Sequence, residues 1–158
     1  MNSVTVRVAA VGDIERIAEI VRDGWEDIYN GYRAQLGDDI YDSIYTAPLE
    51  VKADKIGSII KEGRVLVAEL DGCVCGFASY LAEGEVGALK DNAVARSARG
   101  HGVAKALYEA VFDRLRAAGC TVVRVGTGLD EAHAPARRAY IKAGFTAKLE
   151  SVTYYKKL

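Results

Sequence analysis

Two apolar runs separated by a single pair of residues constrain this chain most. Residues 64–70 and 73–81 are rich in β-formers, and only Asp71-Gly72 lies between them. A two-residue connection of that type takes the positive φ values of a tight hairpin turn, so the runs pair antiparallel. That excludes a purely parallel, doubly wound sheet.

The remaining periodicities place the other elements. Residues 5–8 read as a strand. Gly12-Asp13 supplies a cap, and Ile14, Ile17, Ile20 and Val21 recur at helical spacing, predicting a helix over 13–29. Residues 30–47 are rich in Tyr and Asp and less periodic, as expected of a loop plus a short helix. Pro48 suits a helix start, and Gly63 its end. A further strand fits residues 86–95. Val103, Leu107, Val111 and Leu115 share one face of a helix over 103–118 that stops at Gly119. Residues 121–127 read as a buried strand, 135–144 as a helix, and 145–155 as one or two final strands. A β-α-β crossover sets the strand before the 103–118 helix beside 121–127. The expected fold class is α/β: a mixed, mostly antiparallel central sheet with helices on both faces.

Composition bounds the setting. The chain has 158 residues, 50% of them hydrophobic and 27% charged, as expected of one globular domain spanning 1–158. No apolar run approaches the ~20 residues of a membrane span, and no signal-peptide core follows Met1. Cys73, Cys75 and Cys120 are an odd, sparse set with no paired spacing, which predicts neither a disulfide framework nor a metal site and makes a cytoplasmic location the default expectation. The net charge of −1 hides an asymmetry. Residues 1–91 carry 9 Lys/Arg against 17 Asp/Glu, and residues 92–158 carry 12 against 5. The basic half suits an anionic ligand. The acidic stretch Asp23, Glu26, Asp27, Asp38, Asp39 and Asp42 reads either as solvated helix faces or as a field that attracts a cation. A net charge of −1 with acids on the presumed open face argues against nucleic acid as a partner.

The basic half opens on Arg99-Gly100-His101-Gly102-Val103-Ala104, directly before the amphipathic helix. Its glycines permit a tight turn and close backbone approach. The free N–H groups and positive end of the helix dipole point into that turn, the arrangement that holds phosphate. A P-loop requires Lys-Ser/Thr after its last glycine, and Ala104-Lys105-Ala106 stand there instead. A dinucleotide fingerprint requires a small residue where Lys105 stands and an acid about 20 residues on, where Gly119-Cys120-Thr121 are found. The spacing that fits is [Arg/Gln]-x-x-Gly-x-[Gly/Ala], spelled by Arg99, Gly102 and Ala104 after the strand ending Asn92-Ala93-Val94.

With that spacing the chain resembles the GCN5-related N-acetyltransferase (GNAT) family. The family's second signature, Asn-x-x-Ala-x-x-x-Tyr-x-x-x-Gly-Phe, is matched by residues 133–145, with Ala136, Tyr140, Gly144 and Phe145 in place. His133 stands where Asn is usual, and Arg96 replaces a common proline. The resemblance implies the three-layer fold of the family and acetyl-CoA as acetyl donor. It places the pyrophosphate on the N–H groups of Gly100, His101, Gly102, Val103 and Ala104, with Arg99 starting the turn. It sets the pantetheine arm along the backbone near Val94 and Ala95, in a gap between two splayed strands, and leaves His133 to contact the cofactor, to cap the helix or to do neither. His101 is expected to contribute only its N–H.

Acetyl transfer to an amine has three requirements. The ammonium, with a pKa near ~10.4, must lose a proton; the oxyanion needs donors; and the leaving thiolate needs a proton. Tyr140 matches the family's position for the acid. The oxyanion donor implied is the N–H of Val94 or Ala95. Candidate bases are Glu83, Glu85 and Asp91, with Asp91 nearest in sequence to Val94; a water chain is the alternative. Trp25, Tyr29, Tyr32, Tyr41 and Tyr45 are candidates to wall the acceptor pocket. The expected function is N-acetylation of a small-molecule amine, a cationic metabolite or antibiotic-like amine. Two alternatives stay open: acetylation of a protein N-terminus or lysine, and a non-catalytic acetyl-CoA-binding module. A homodimer is a family habit that no residue pattern here specifies.

Overall fold

A computed structural model describes residues 3–158; Met1 and Asn2, at the head of the N-terminal run, lie outside the described residues. Among the described residues, five strands form one sheet: β1 (Val4–Val8), β2 (Val65–Leu70), β3 (Cys73–Glu83), β4 (Val86–Val94) and β5 (Val122–Val125). Among the same residues, five α-helices accompany them: α1 (Ile14–Leu36), α2 (Asp38–Ile44), α3 (Pro48–Ile60), α4 (Val103–Ala117) and α5 (Ala134–Lys142). Strand order follows chain order. The first three pairings are antiparallel, and β4–β5 is parallel. Asp71 (φ 53°) and Gly72 (φ 79°) make the expected hairpin turn between β2 and β3.

β2 is apolar at every position from Val65 to Ala68 because the sheet is covered on both faces. Val65, Val67 and Phe77 pack with Ile17, Ile20 and Val21 of α1 and Ile56 of α3. On the other face, Leu66, Ala68, Ala78 and Leu89 pack with Leu107, Val111 and Leu115 of α4 and with Tyr140 of α5.

Two glycines set how closely α4 approaches. A Cβ on Gly76 of β3 would lie 3.0 Å from Val103 Cγ1 and 3.1 Å from the Ala93 carbonyl oxygen. One on Gly87 of β4 would lie 2.6 Å from Leu115 Cδ1. Both ends of α4 therefore rest where the sheet carries no side chain. This fixes the first turn of α4 against the end of β4.

β4 and β5 pair only from Val86↔Val122 to Leu89↔Val125. β4 continues to Val94, so its residues 90–94 have β3 on one side and no ladder partner on the other among the described residues. A bulge begins this stretch: Asn92 opposes Ala78 and Leu89 opposes Tyr80, leaving Lys90 and Asp91 against Ser79 alone. Bulges bend a strand and re-aim its side chains.

Three expectations are corrected. The first helix does not end at Tyr29 but runs to Leu36; the short helix expected within residues 30–47 is α2, and the loop expected before it is reduced to Gly37. Gly31 is carried inside α1 because Tyr29 and Tyr32 pack against Tyr45, and the chain breaks at Gly37, where φ is 76°. β5 is shorter than 121–127 and half exposed, with Val122 58% accessible, because β4 flanks it on one side only. Residues 145–155 form no strand. The Phe145 N–H donates to the Tyr140 carbonyl, and its ring meets Phe112 and Tyr140 edge-on. Beyond it Leu149, Val152 and Tyr154 lie exposed. Alternating residues form a strand only where they gain a ladder, and this segment gains none.

Gly87→Ala is expected to lower the free energy of urea unfolding by about 1–3 kcal/mol, as over-packing does. Gly12→Ala, where an added Cβ meets nothing within 4 Å, is expected to change it by less than about 0.5 kcal/mol.

Candidate functional site

The turn before α4 has the expected shape. Gly100 and Gly102 both take left-handed φ, 81° and 79°, and a Cβ on either projects into open space. Gly102 is the residue before the first turn of α4 and brings no side chain to cap it. The N–H groups of Val103, Ala104 and Lys105 thus begin a helix with no partner inside it. Among the described residues, the N–H groups of Gly100, His101 and Gly102 make no hydrogen bond to a backbone carbonyl outside the helices and strands. The His101 ring is exposed, and its Nδ1 lies 3.0 Å from the Arg99 carbonyl. A carbonyl only accepts, so Nδ1 carries the hydrogen. Arg99 is exposed, with Nε 3.4 Å from the Val94 carbonyl. Val103 is buried beneath the turn.

The end of β4 separates the two candidate backbone donors. The Ala95 N–H donates to the Cys75 carbonyl at 2.8 Å, and the Ala95 carbonyl accepts from Ala98 at 2.9 Å. Both polar groups of Ala95 are therefore engaged within the chain. Successive residues of an antiparallel strand direct their N–H and C=O to opposite neighbours. Ala95 faces β3, so Val94 faces the open side beyond β5. Arg99 reaches the Val94 carbonyl from there.

Tyr140 of α5 is buried beside this edge. Its hydroxyl oxygen accepts from Asn92 Nδ2 at 3.0 Å. Asn92 Nδ2 also donates to the Lys90 carbonyl at 2.9 Å, which fixes the orientation of the amide, and Asn92 Oδ1 accepts from the Tyr108 hydroxyl at 2.9 Å. Tyr140 spends its oxygen on Asn92 and keeps its own hydrogen to donate. Burial pushes the Tyr140 phenol above its ordinary range and the nearby Asp91 charge adds to this, while the hydrogen bond from Asn92 opposes it. Burial also raises the Tyr108 phenol.

Asp91 lies on β4 and is mostly buried. Its carboxylate accepts from Lys52 Nζ of α3 at 2.7 Å. That ammonium also sits 4.8 Å from the centre of the Trp25 ring, which stacks on Phe77. The Asp91 charge is felt by both Tyr140 and Tyr29. Glu83, another candidate base, pairs with Arg124 at the far end of the sheet.

The four tyrosines form one cluster. Tyr45 lies 5.5 Å from Tyr29, 5.9 Å from Tyr32 and 4.9 Å from Tyr41, ring centre to ring centre. Burial, with the neighbouring phenols and Asp91, pushes Tyr29 up to about 12. His133 belongs with this cluster by contact: its ring stacks 6.0 Å from Tyr32, and Nδ1 donates to Asp130 at 2.8 Å. The turn before α5 is shaped around that pair. A Cβ on Gly128 would strike His133 Nδ1 at 2.5 Å and Asp130 Oδ2 at 2.7 Å. Arg137 locks the turn by donating to the carbonyls of Gly128 and Asp130.

The acidic stretch is largely spent on local partners. Arg33 binds Asp38 and Asp42, Lys157 binds Asp39, and Arg96 binds Asp23 and Asp27. An open acidic field is not what these residues form. The negative charge facing the aromatic cluster is that of Asp91 and Asp130. Asn92, Tyr108, Lys52 and Asp130 escape a reading of the sequence. The one legible hint was Asn92, two residues before Val94 and therefore of the same strand parity.

Residues 21–145 match the acetyltransferase (GNAT) family. None of the curated proteins matches the chain. Among solved structures, the PaiA N-acetyltransferase of Thermoplasma acidophilum in complex with coenzyme A superposes with a TM-score of 0.71 at 18% identity, over 92% of this chain and 91% of that one. The aminoglycoside N-acetyltransferase AAC(6')-Iy in complex with CoA gives 0.67 at 18%, over 100% and 97%. The ribosomal-protein-alanine N-acetyltransferase of Brucella melitensis biovar Abortus 2308 gives 0.65 at 17%, over 98% and 100%. At such identities the likeness is one of fold.

Asn92→Leu leaves the buried Tyr108 and Tyr140 hydroxyls without their shared partner. Urea unfolding is expected to show a loss of about 1–3 kcal/mol.

Proposed function

We propose, for a chain that belongs to the GNAT acetyltransferase family and is an acetyl-CoA-dependent N-acetyltransferase, that the acceptor is a primary amine on a small cationic molecule and that Tyr140, Asp91, Val94 and the turn at residues 99–104 carry the reaction. The turn fits a pyrophosphate: successive N–H groups, two glycines whose missing Cβ atoms leave open space, and a helix dipole behind them. The outward-facing backbone of Asn92 and Val94 fits an amide-bearing arm laid along β4 as an added strand.

Acetyl-CoA supplies a thioester, whose carbonyl carbon takes up the amine. The chain's own groups then have three tasks. Asp91, directly or through water, accepts the proton that the ammonium must lose. The Val94 N–H donates to the carbonyl oxygen as it gains charge; Ala95 has no free N–H for this. Tyr140 donates its hydroxyl proton to the departing sulfur. A phenol near pKa ~10 is a weaker acid than a thiol near ~8.5, an adverse gap of roughly 2 kcal/mol. Burial widens that gap for Tyr140, and the hydrogen bond from Asn92, which stabilises the phenolate, opposes the widening. Burial keeps Tyr140 protonated at neutral pH, ready to act as an acid.

One observation carries the acceptor assignment. The mostly buried Asp91 carboxylate holds the Lys52 ammonium at 2.7 Å, with the Trp25 ring 4.8 Å from that ammonium. Aromatic faces around a carboxylate suit an alkylammonium. Polyamines, aminoglycosides, amino acids and peptides, assayed for thiol release from acetyl-CoA, separate the possibilities. Small polycations are expected to give the highest kcat/KM. Activity confined to peptides contradicts the assignment.

Two variants test the roles. Gly102→Gln is expected to weaken coenzyme A at least about tenfold, about 1.4 kcal/mol, in calorimetry; unchanged affinity removes the turn from the site. Tyr140→Phe is expected to lower kcat about 10²-fold or more with coenzyme A affinity retained. Because the Tyr140 pKa is raised, the wild-type rate holds until pH exceeds about 10 and then falls as the phenol ionises. The phenylalanine variant lacks that alkaline limb.

A further inference from the structure

Lys52 is a buried cation that the proposed chemistry does not use. Its side chain is 17% exposed and that of Asp91 18%. The ammonium has a carboxylate oxygen at 2.7 Å and an indole face at 4.8 Å. Those two groups are what a site for a primary alkylammonium is made from. The same carboxylate is the proposed base, and while the Lys52 ammonium occupies it, it is not free to take a proton from an acceptor.

We propose that Lys52 is the resident stand-in for the acceptor ammonium and that the acceptor displaces it, so that Lys52 sets which amines are used. This rests on the cationic-amine reading above. Exchanging one ammonium for another leaves Asp91 paired throughout. The lysine stem is long enough to carry its charge out to water while its methylenes stay against the protein. A neutral acceptor gains no such exchange: to displace Lys52 it must leave a mostly buried carboxylate without a counter-charge, and that is costly. The site therefore selects amines that arrive protonated, alkylamines over weakly basic aryl amines. The ammonium arrives on Asp91, gives up one proton to that carboxylate or to a bridging water, and the freed lone pair forms the new N–C bond as the C–S bond breaks. Tyr140 protonates the departing thiolate, and the second proton of the nitrogen, lost as the amide forms, returns through water to the Tyr140 phenolate, so one net proton remains on Asp91 for release to solvent.

Tethering makes Lys52 a competitor at an effective concentration in the millimolar range or above. Removing it lowers the apparent dissociation constant of an external ammonium by the factor that competition had imposed. Trp25 is the only tryptophan in the chain, so its fluorescence reports this site directly.

The experiment titrates n-butylammonium chloride into the wild-type protein and into Lys52→Met, which keeps the stem and removes the charge. Trp25 emission is followed at constant ionic strength, and circular dichroism checks that each variant is folded. Lys52→Met is expected to bind about tenfold tighter, and Lys52→Met/Asp91→Asn to lose that gain. In turnover, Lys52→Met is expected to lower KM for a protonated alkylamine about tenfold with kcat changed less than threefold, a split that mere loss of packing does not produce. Equal butylammonium affinity in wild type and Lys52→Met overturns the proposal, as does a variant whose kcat collapses while KM stays fixed. Should Lys52→Met fail to fold, Lys52→Gln is titrated against the same two outcomes. If the wild-type enzyme acetylates no amine yet Lys52→Met gains butylammonium affinity, the acceptor reading falls and the ammonium site stands.

Discussion

The contact of α4 with the bare faces of Gly76 and Gly87 is the constraint on which the rest of the molecule depends. Helix and sheet meet there at distances that leave no room for a Cβ. Val103 thereby comes down on β3, and the Gly100–Gly102 turn is held against the end of β4. Close packing of this kind resists sliding, because each atom displaced must displace others. A turn proposed to work through the direction of its N–H groups needs that rigidity. Its own residues are exposed and cannot supply it.

The second constraint is the parting of β4 from β5 after Leu89. An open strand edge in the middle of a sheet exposes N–H and C=O groups that ordinarily seek partners. Here the edge is short, begins at a bulge and lies beside Tyr140. The pairing of Ala95 with Cys75 fixes the phase of the strand, so Asn92 and Val94 turn their backbone groups outward. Their side chains and those of Asp91 go to different jobs: Asn92 holds the two phenols, whereas Asp91 meets Lys52. One strand thus divides the Tyr140 phenol on one face from the Asp91 carboxylate on the other.

Local chemistry was legible in the sequence, and long-range pairing was not. Asp71-Gly72 and Gly102 act through their own φ values, and Tyr140 stands in a motif with fixed spacing, so each could be read without a structure. The end of α1 could not. Residues 30–47 lose the apolar helical period, and what carries α1 on to Leu36 is a set of ring contacts from Tyr29 and Tyr32 to Tyr45. Lys52 carries no signal of its own in the sequence, and only the fold brings it from α3 to Asp91 of β4. The acidic run from Asp38 to Asp42 reads either as a solvated face or as an attracting field until Arg33 and Lys157 are found paired with it. Phe145–Tyr155 has the right residues for a strand and no ladder to join.

Hydrogen exchange with and without coenzyme A tests the central claim most directly, because the donor site is proposed to be made of backbone N–H groups at two places that only the fold brings together. The account predicts slowed exchange at residues 100–106 and at Asn92 and Val94, with Ala95 already protected in the free protein by its bond to Cys75. Protection confined to α1–α3, or no change at Val94 while the 100–106 turn is protected, contradicts it.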